Sequence, residues 1–160
     1  MKRRRKLWDP QKRPAENASS VLPQLAAEFF ASGRKAAKET SYEALHKFRL
    51  TVKRFRYTLE AFRPLYGPGL EQRIEKLRTI QQLLGYLNDC ATTRRLLERS
   101  ADAGTEEVQQ VVEFIDSRSA SAARKFTQHW TEDFDANGEE SIWKRYLARQ
   151  ANQKASRAKR

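Results

Sequence analysis

The chain has 160 residues, 32 Lys and Arg against 20 Asp and Glu, and a formal charge of +12, a length that suits one domain with tails or at most two small ones. Its 39% apolar content, five prolines and six glycines exclude collagen-like and uniformly low-complexity chains, and no apolar run approaches the ~18 residues that span a bilayer. The single cysteine, Cys90, cannot form an internal disulfide, and Met1 to Pro10 is basic with no apolar segment behind it, so the expectation is a cytoplasmic protein in a reducing compartment without a secretory signal.

Residues 1–18 read as a basic tail, since 1–14 carry seven Lys/Arg and one Asp and such runs are ordinarily solvated. Its counterpart, 151–160, ends a stretch from 144 that holds seven bases and no acid. One domain is expected between them, over 19–150. Helical periodicity runs through it and strand alternation is nearly absent. A first helix is predicted over about 20–38, opened by Ser19 and Ser20 with Pro23 in its first turn. Thr40 and Glu43 form a T-x-x-E capping box for a second, over about 41–63, which Arg63-Pro64 and Gly67-Pro68-Gly69 end. A third covers about 70–100 and closes near Gly104. Thr105, followed by Glu106 and Glu107 at the positive helix end, opens a fourth to about 134. Asn137-Gly138 turns the chain into a fifth near 140–151. Short loops make this an all-α antiparallel bundle of four to five helices.

The second helix carries two stripes. Leu45, Phe48, Val52, Phe55, Leu59 and Phe62 follow a 3-4 spacing and form an apolar seam that must face other helices. One residue on, His46, Arg49, Lys53, Arg56 and Glu60 repeat that spacing; the four cationic positions fall within a sector of about 80°, with Tyr57 at its edge. From His46 to Arg56 the rise is about 15 Å, with a cation every three or four residues. Guanidinium groups pair with phosphate oxygens and lysine supplies a compact charge, so this ladder suits an extended phosphate polymer better than one small anion. An ordinary solvated helix face is the alternative, and the pattern by itself favours it.

The third helix repeats the design. Leu77, Ile80, Leu84, Leu87 and Ala91 form its seam, while Arg78, Gln81, Gly85, Asn88, Thr92 and Arg95 form a polar stripe. A glycine inside a helix costs ~1 kcal/mol relative to alanine, which points to close approach of a helix or ligand at Gly85. Asp89 is the lone acid between Glu75 and Glu98; it either holds an arginine of the second helix or is a surface acid.

The segments LHKFRLTVKRFRYTLEAF (45–62) and LRTIQQLLGYLNDCATTRRLL (77–97) resemble the conserved histidine α-helical domain, or CHAD. The pattern H-x-x-R-x-x-x-K/R-R-x-R-Y is met by His46, Arg49, Lys53, Arg54, Arg56 and Tyr57; Q-x-x-L-G-x-L-N-D is met by Gln81, Leu84, Gly85, Leu87, Asn88 and Asp89. The segment 32–45 also resembles the family's approach to its histidine. The resemblance covers about 22–97. It implies an all-helical, non-catalytic module that binds inorganic polyphosphate along a basic surface, associated with polyphosphate metabolism or granules. Its implied binding residues are His46, Arg49, Lys53, Arg54, Arg56 and Tyr57. Arg34 and Lys35 either extend that surface beside His46 or serve the helix dipole; Arg78, Arg95 and Lys125 are further candidates. Gln81, Gly85, Asn88 and Asp89 are expected to support the ladder. Family domains commonly hold two such bundles and this chain has one, which implies a half-length member that pairs with itself as a homodimer.

Other readings are set beside this one. Basic tails with Trp8 nearby are compatible with nucleic acid held without selectivity, although no nucleic-acid-binding signature is present. Histidine phosphotransfer modules carry H-x-x-K-G, and here Arg49 and Leu50 stand at the last two positions, so phosphotransfer on His46 is the lesser alternative. His46, His129 and Cys90 lack metal-ligand spacing, and no metal, cofactor or catalytic residue is expected. Trp130, Phe134, Trp143 and Tyr146 are expected to complete the core.

Overall fold

The computed structural model describes residues 8–157, except for the side chains of residues 150 and 152–157. The expected all-α bundle is what forms. Five α-helices follow in order: α1 Pro14–Glu39, α2 Tyr42–Ala61, α3 Pro68–Glu98, α4 Glu106–Asp133 and α5 Glu139–Arg157, with a 3-10 turn at Arg63–Leu65 between α2 and α3. Packing follows chain order: α1 lies against α2, α2 against α3 and α3 against α4, while α5 returns to cover α1.

The first helix starts six residues earlier than its predicted opening, because Pro14 supplies the N1 position and the Glu16 carboxylate at N3 accepts from the Arg13 backbone N–H at 3.0 Å. Pro23 therefore lies inside α1, not in its first turn. Buried Asn17 anchors the preceding loop, accepting from Asp9 N at 2.8 Å and donating to the carbonyls of Asp9 and Lys12 at 2.9 and 3.1 Å. Part of the expected tail over 1–18 is thus packed structure. At the other end α5 continues through 151–157, with Ala151 buried. The basic residues of 1–7 and 158–160 lie outside the described residues. The cap of α2 is Ser41, whose Oγ accepts from Ala44 N at 3.3 Å, and not Thr40, which ends α1 with φ 48°.

Phe29 is the hub of the core. The rings of Phe30, Phe48, Phe55, Trp130, Phe134 and Trp143 have centroids 5.2 to 6.2 Å from its own, so all helices except α3 meet at one aromatic cluster. The seam of α2 is buried from Leu45 to Leu59, as is that of α3 from Leu77 to Leu87. Phe62 is only half-buried, since the helix has ended by then and its ring meets Trp8 at 5.9 Å. Trp130, Phe134 and Trp143 are buried as expected and Tyr146 is half-buried.

Two contacts hold α1 against the later helices. Arg34 Nε donates to Asp135 at 2.9 Å and its NH2 to Glu140 at 2.6 Å. The Arg34 hydrogen bond holds the Glu140 carboxyl below its ordinary range, against a smaller opposing effect of burial. Gly33 lies under the Trp130 indole, where a Cβ would come within 2.1 Å of the ring.

Gly33→Ala therefore destabilises the fold by ~1–3 kcal/mol through overpacking against a buried ring, read as a lower denaturant midpoint by circular dichroism. For Glu140 the folded carboxyl is the stronger acid, so its stabilisation is complete above the ordinary glutamate range and is lost as pH falls through the folded value. Denaturation across pH will show wild type more stable than Glu140→Gln near neutrality, with the difference closing in acid.

Candidate anion-binding trough between α2 and α3

Burial of the Leu45–Leu59 seam fixes how α2 is rotated, which leaves the next stripe at the edge facing α3. Two contacts set the antiparallel register: His46 Nδ1 lies 3.2 Å from Asn88 Oδ1, and Arg56 Nε donates to Gln81 Oε1 at 2.9 Å. Arg49 and Lys53 occupy the stripe between those contacts, across from Gly85. A Cβ built on Gly85 would meet nothing within 4 Å. The expected close approach of another helix at this glycine does not occur. Instead the space over Gly85 is open, and the α3 stripe of Gln81, Gly85, Asn88 and Thr92, which carries no carboxylate, runs beside the α2 ladder; the line between the two stripes is the candidate trough.

The stripe is chemically graded along its length. Arg56 is held most firmly: its side chain is 13% exposed, Gln81 takes Nε, Glu60 accepts from NH1 at 2.6 Å, and its guanidinium lies 4.3 Å from the Tyr57 ring centroid. Tyr57 is exposed, with Lys53 Nζ 6.0 Å from its centroid. Arg49 and Lys53 have no carboxylate within ion-pair distance among the described residues, and Arg49 Nε is buried without a hydrogen-bond partner. A donor removed from water and left unpaired costs the free protein stability.

At the other end Tyr42 was missed by sequence reasoning. Its ring stacks on His46 with centroids 5.7 Å apart, and the Arg95 guanidinium sits 3.9 Å from the Tyr42 centroid. One aromatic side chain therefore joins a cation of α3 to the α2 ladder. The signal was the spacing of Tyr42 and His46, four apart and so neighbours on one face. Beside them a recess of about 120 Å³ opens between Tyr42, His46, Asn88 and Ser119. If Asn88 Oδ1 accepts from Nδ1, the remaining ring nitrogen Nε2 donates to an anion only in the imidazolium form.

Other expected members stand elsewhere. Arg34 is engaged by Asp135 and Glu140 at the α4–α5 connection, and Lys35 pairs with Glu39 along α1 at 3.6 Å; neither extends the basic surface beside His46. Arg54 projects toward α1, where it pairs with Glu28, because it lies one residue beyond the ladder stripe. Lys125 is exposed on the α3–α4 face, lining a groove with Thr79, Tyr86 and His129, so it does not close the trough. Arg78 reaches Glu60 at 3.3 Å and also pairs with Glu75, which takes it out of the unpaired set. Asp89 is exposed and holds no arginine of α2; Asn88, one position earlier, is the residue that turns to the ladder.

Among the described residues no helix is long and apolar enough to cross a membrane. Comparison with curated proteins and with solved structures gives no match. The family model of the CHAD domain matches residues 2–98, which takes in α1, α2 and α3 and both walls of the trough but leaves out α4 and α5. The chain belongs to the CHAD domain family, a family of non-catalytic accessory and binding modules.

Proposed function

We propose that this protein binds inorganic polyphosphate, without chemistry, along the trough between α2 and α3. The observation that carries the reading is the position of Arg49 and Lys53, neither of which has a carboxylate within ion-pair distance among the described residues. They are neighbours on a helix face aligned by core packing, opposite a glycine that leaves room for a ligand, whereas Arg54 and Arg56 of the same helix are each paired with a carboxylate. Arg49 offers paired N–H donors, Lys53 a compact charge and Arg95 a third cation poised on Tyr42. Contacts spaced along ~10 Å of helix from His46 to Lys53 suit a chain of linked phosphates. Binding is driven by several phosphate contacts and release of counterions, as with other phosphate polymers, and weakens steeply with salt. Family membership supports a binding role. Two copies facing each other across the trough would enclose the ligand, and light scattering with and without polyphosphate reads that pairing.

In the full-length protein, Arg49→Glu with Lys53→Glu lowers affinity for long-chain polyphosphate by about a hundredfold or more, since two charge-assisted contacts become repulsive. The control reverses Arg118 and Lys125, both exposed on α4, changing net charge by the same amount; it costs only a few-fold. Equal losses from both pairs, or equal displacement by RNA at matched phosphate equivalents, would transfer the assignment to diffuse charge and the basic ends.

Gly85→Gln separates fold from function. A good helix former there raises stability by ~0.5–1 kcal/mol, yet its side chain occupies the trough and weakens polyphosphate binding. Thermal melts and a binding titration on one sample show both effects; unchanged affinity contradicts the placement of the ligand.

A further inference from the structure

We propose that Glu60 is a built-in counter-ion that closes one end of the trough and sets the length of anion it accepts, an inference that rests on the reading of the trough as a polyphosphate site. The cationic stripe of α2 ends on Glu60, one turn beyond Arg56. A single oxygen, Oε1, accepts from Arg56 NH1 at 2.6 Å and from Arg78 NH2 at 3.3 Å. One carboxylate thus bridges a guanidinium from each wall, α2 and α3, and occupies a donor of both. Arg56 has little exposure, so this pairing is screened less than an open surface ion pair. Further out, Arg78 also meets Glu71 at 3.8 Å and pairs with Glu75.

The opposite end is built differently. His46 has an amide for a partner and Arg95 an aromatic ring, and neither has a carboxylate within ion-pair distance among the described residues. The trough is therefore asymmetric along its axis: open and cationic at His46 and Arg95, unpaired at Arg49 and Lys53, and occupied after Lys53 by arginines whose donors are already taken by carboxylates. A phosphate chain advancing from the open end gains donors until it reaches Glu60. Beyond that point it must displace the carboxylate from two arginines while being repelled by it. Arg56, with Nε on Gln81 and NH1 on Glu60, acts here as a positioning residue, and Glu60 determines specificity by limiting the bound segment to the stretch from His46 to Lys53.

The test compares Glu60→Gln with Glu75→Gln in the full-length protein. Both remove one negative charge, but Glu75 pairs with Arg78 and makes no contact with Arg56. The probe is sodium polyphosphate of graded length, titrated at several concentrations of potassium chloride. Glu60→Gln tightens binding of the longer chains by about threefold to tenfold and steepens the salt dependence by about one to two phosphate contacts; Glu75→Gln stays within about twofold. Glu60→Asp, which keeps the charge but is too short to span both arginines, shifts affinity in the same direction by less, and covers the case in which the amide variant fails to fold. Unchanged or weaker binding by the folded Glu60 variants, or an equal gain from Glu75→Gln, overturns the counter-ion role. The site reading is tested separately: if wild-type binding does not depend on Arg49 and Lys53, that reading fails; if it does and the Glu60 variants change nothing, only the present inference fails.

Discussion

The rotation of α2 about its own axis is the constraint on which the trough depends. Val52, Phe55 and Leu59 are buried in the aromatic and aliphatic core, and displacing them by one position would expose several large side chains, each costing ~1.5–3 kcal/mol. The polar stripe one residue on therefore has no freedom to turn outward. Its cations stand along the edge that meets α3, where a solvated helix face would instead have spread them toward water. The same packing that stabilises the bundle thus concentrates positive charge on one line.

Concentrated charge is tolerated because the ends of the line are treated differently from its middle. Arg56 is neutralised by Glu60 and fixed by Gln81. His46 is held between Tyr42 and Asn88. Between these anchors Arg49 and Lys53 are left without carboxylates, and the facing helix contributes a glycine. Such an arrangement sacrifices local stability: a glycine within α3 and a buried unpaired Nε on Arg49 each weaken the free protein. Binding sites commonly carry this cost.

Much of this was legible in the residues. The 3-4 spacing of Leu45 through Leu59 defined the buried face of α2, and the parallel spacing of His46, Arg49, Lys53 and Arg56 placed the cations beside it. Gln81 and Asn88 were legible as supports, and the structure pairs them with Arg56 and His46. What failed was mostly information carried between distant segments. Arg34 and Arg54 look like ladder residues by proximity in sequence, yet Asp135, Glu140 and Glu28 claim them, and no local pattern announces those partners. Asp89 failed for a simpler reason: one position along a helix is a turn of about 100°. Thr40 and Ser41 both suit an N-cap, and only the left-handed turn at Thr40 settles which one serves. The early start of α1 was obscured by the basic residues around Pro14, which read as tail although Ala15, Asn17 and Ala18 pack inward.

The most direct measurement is a crystal structure of the full chain with polyphosphate of medium length. The account predicts linked phosphate density lying in the groove over Gly85, with oxygens within hydrogen-bond distance of the Arg49 guanidinium and the Lys53 ammonium. Phosphates ordered only along the basic termini or on the outer face of α4, with Arg49 and Lys53 unchanged and solvated, would contradict it.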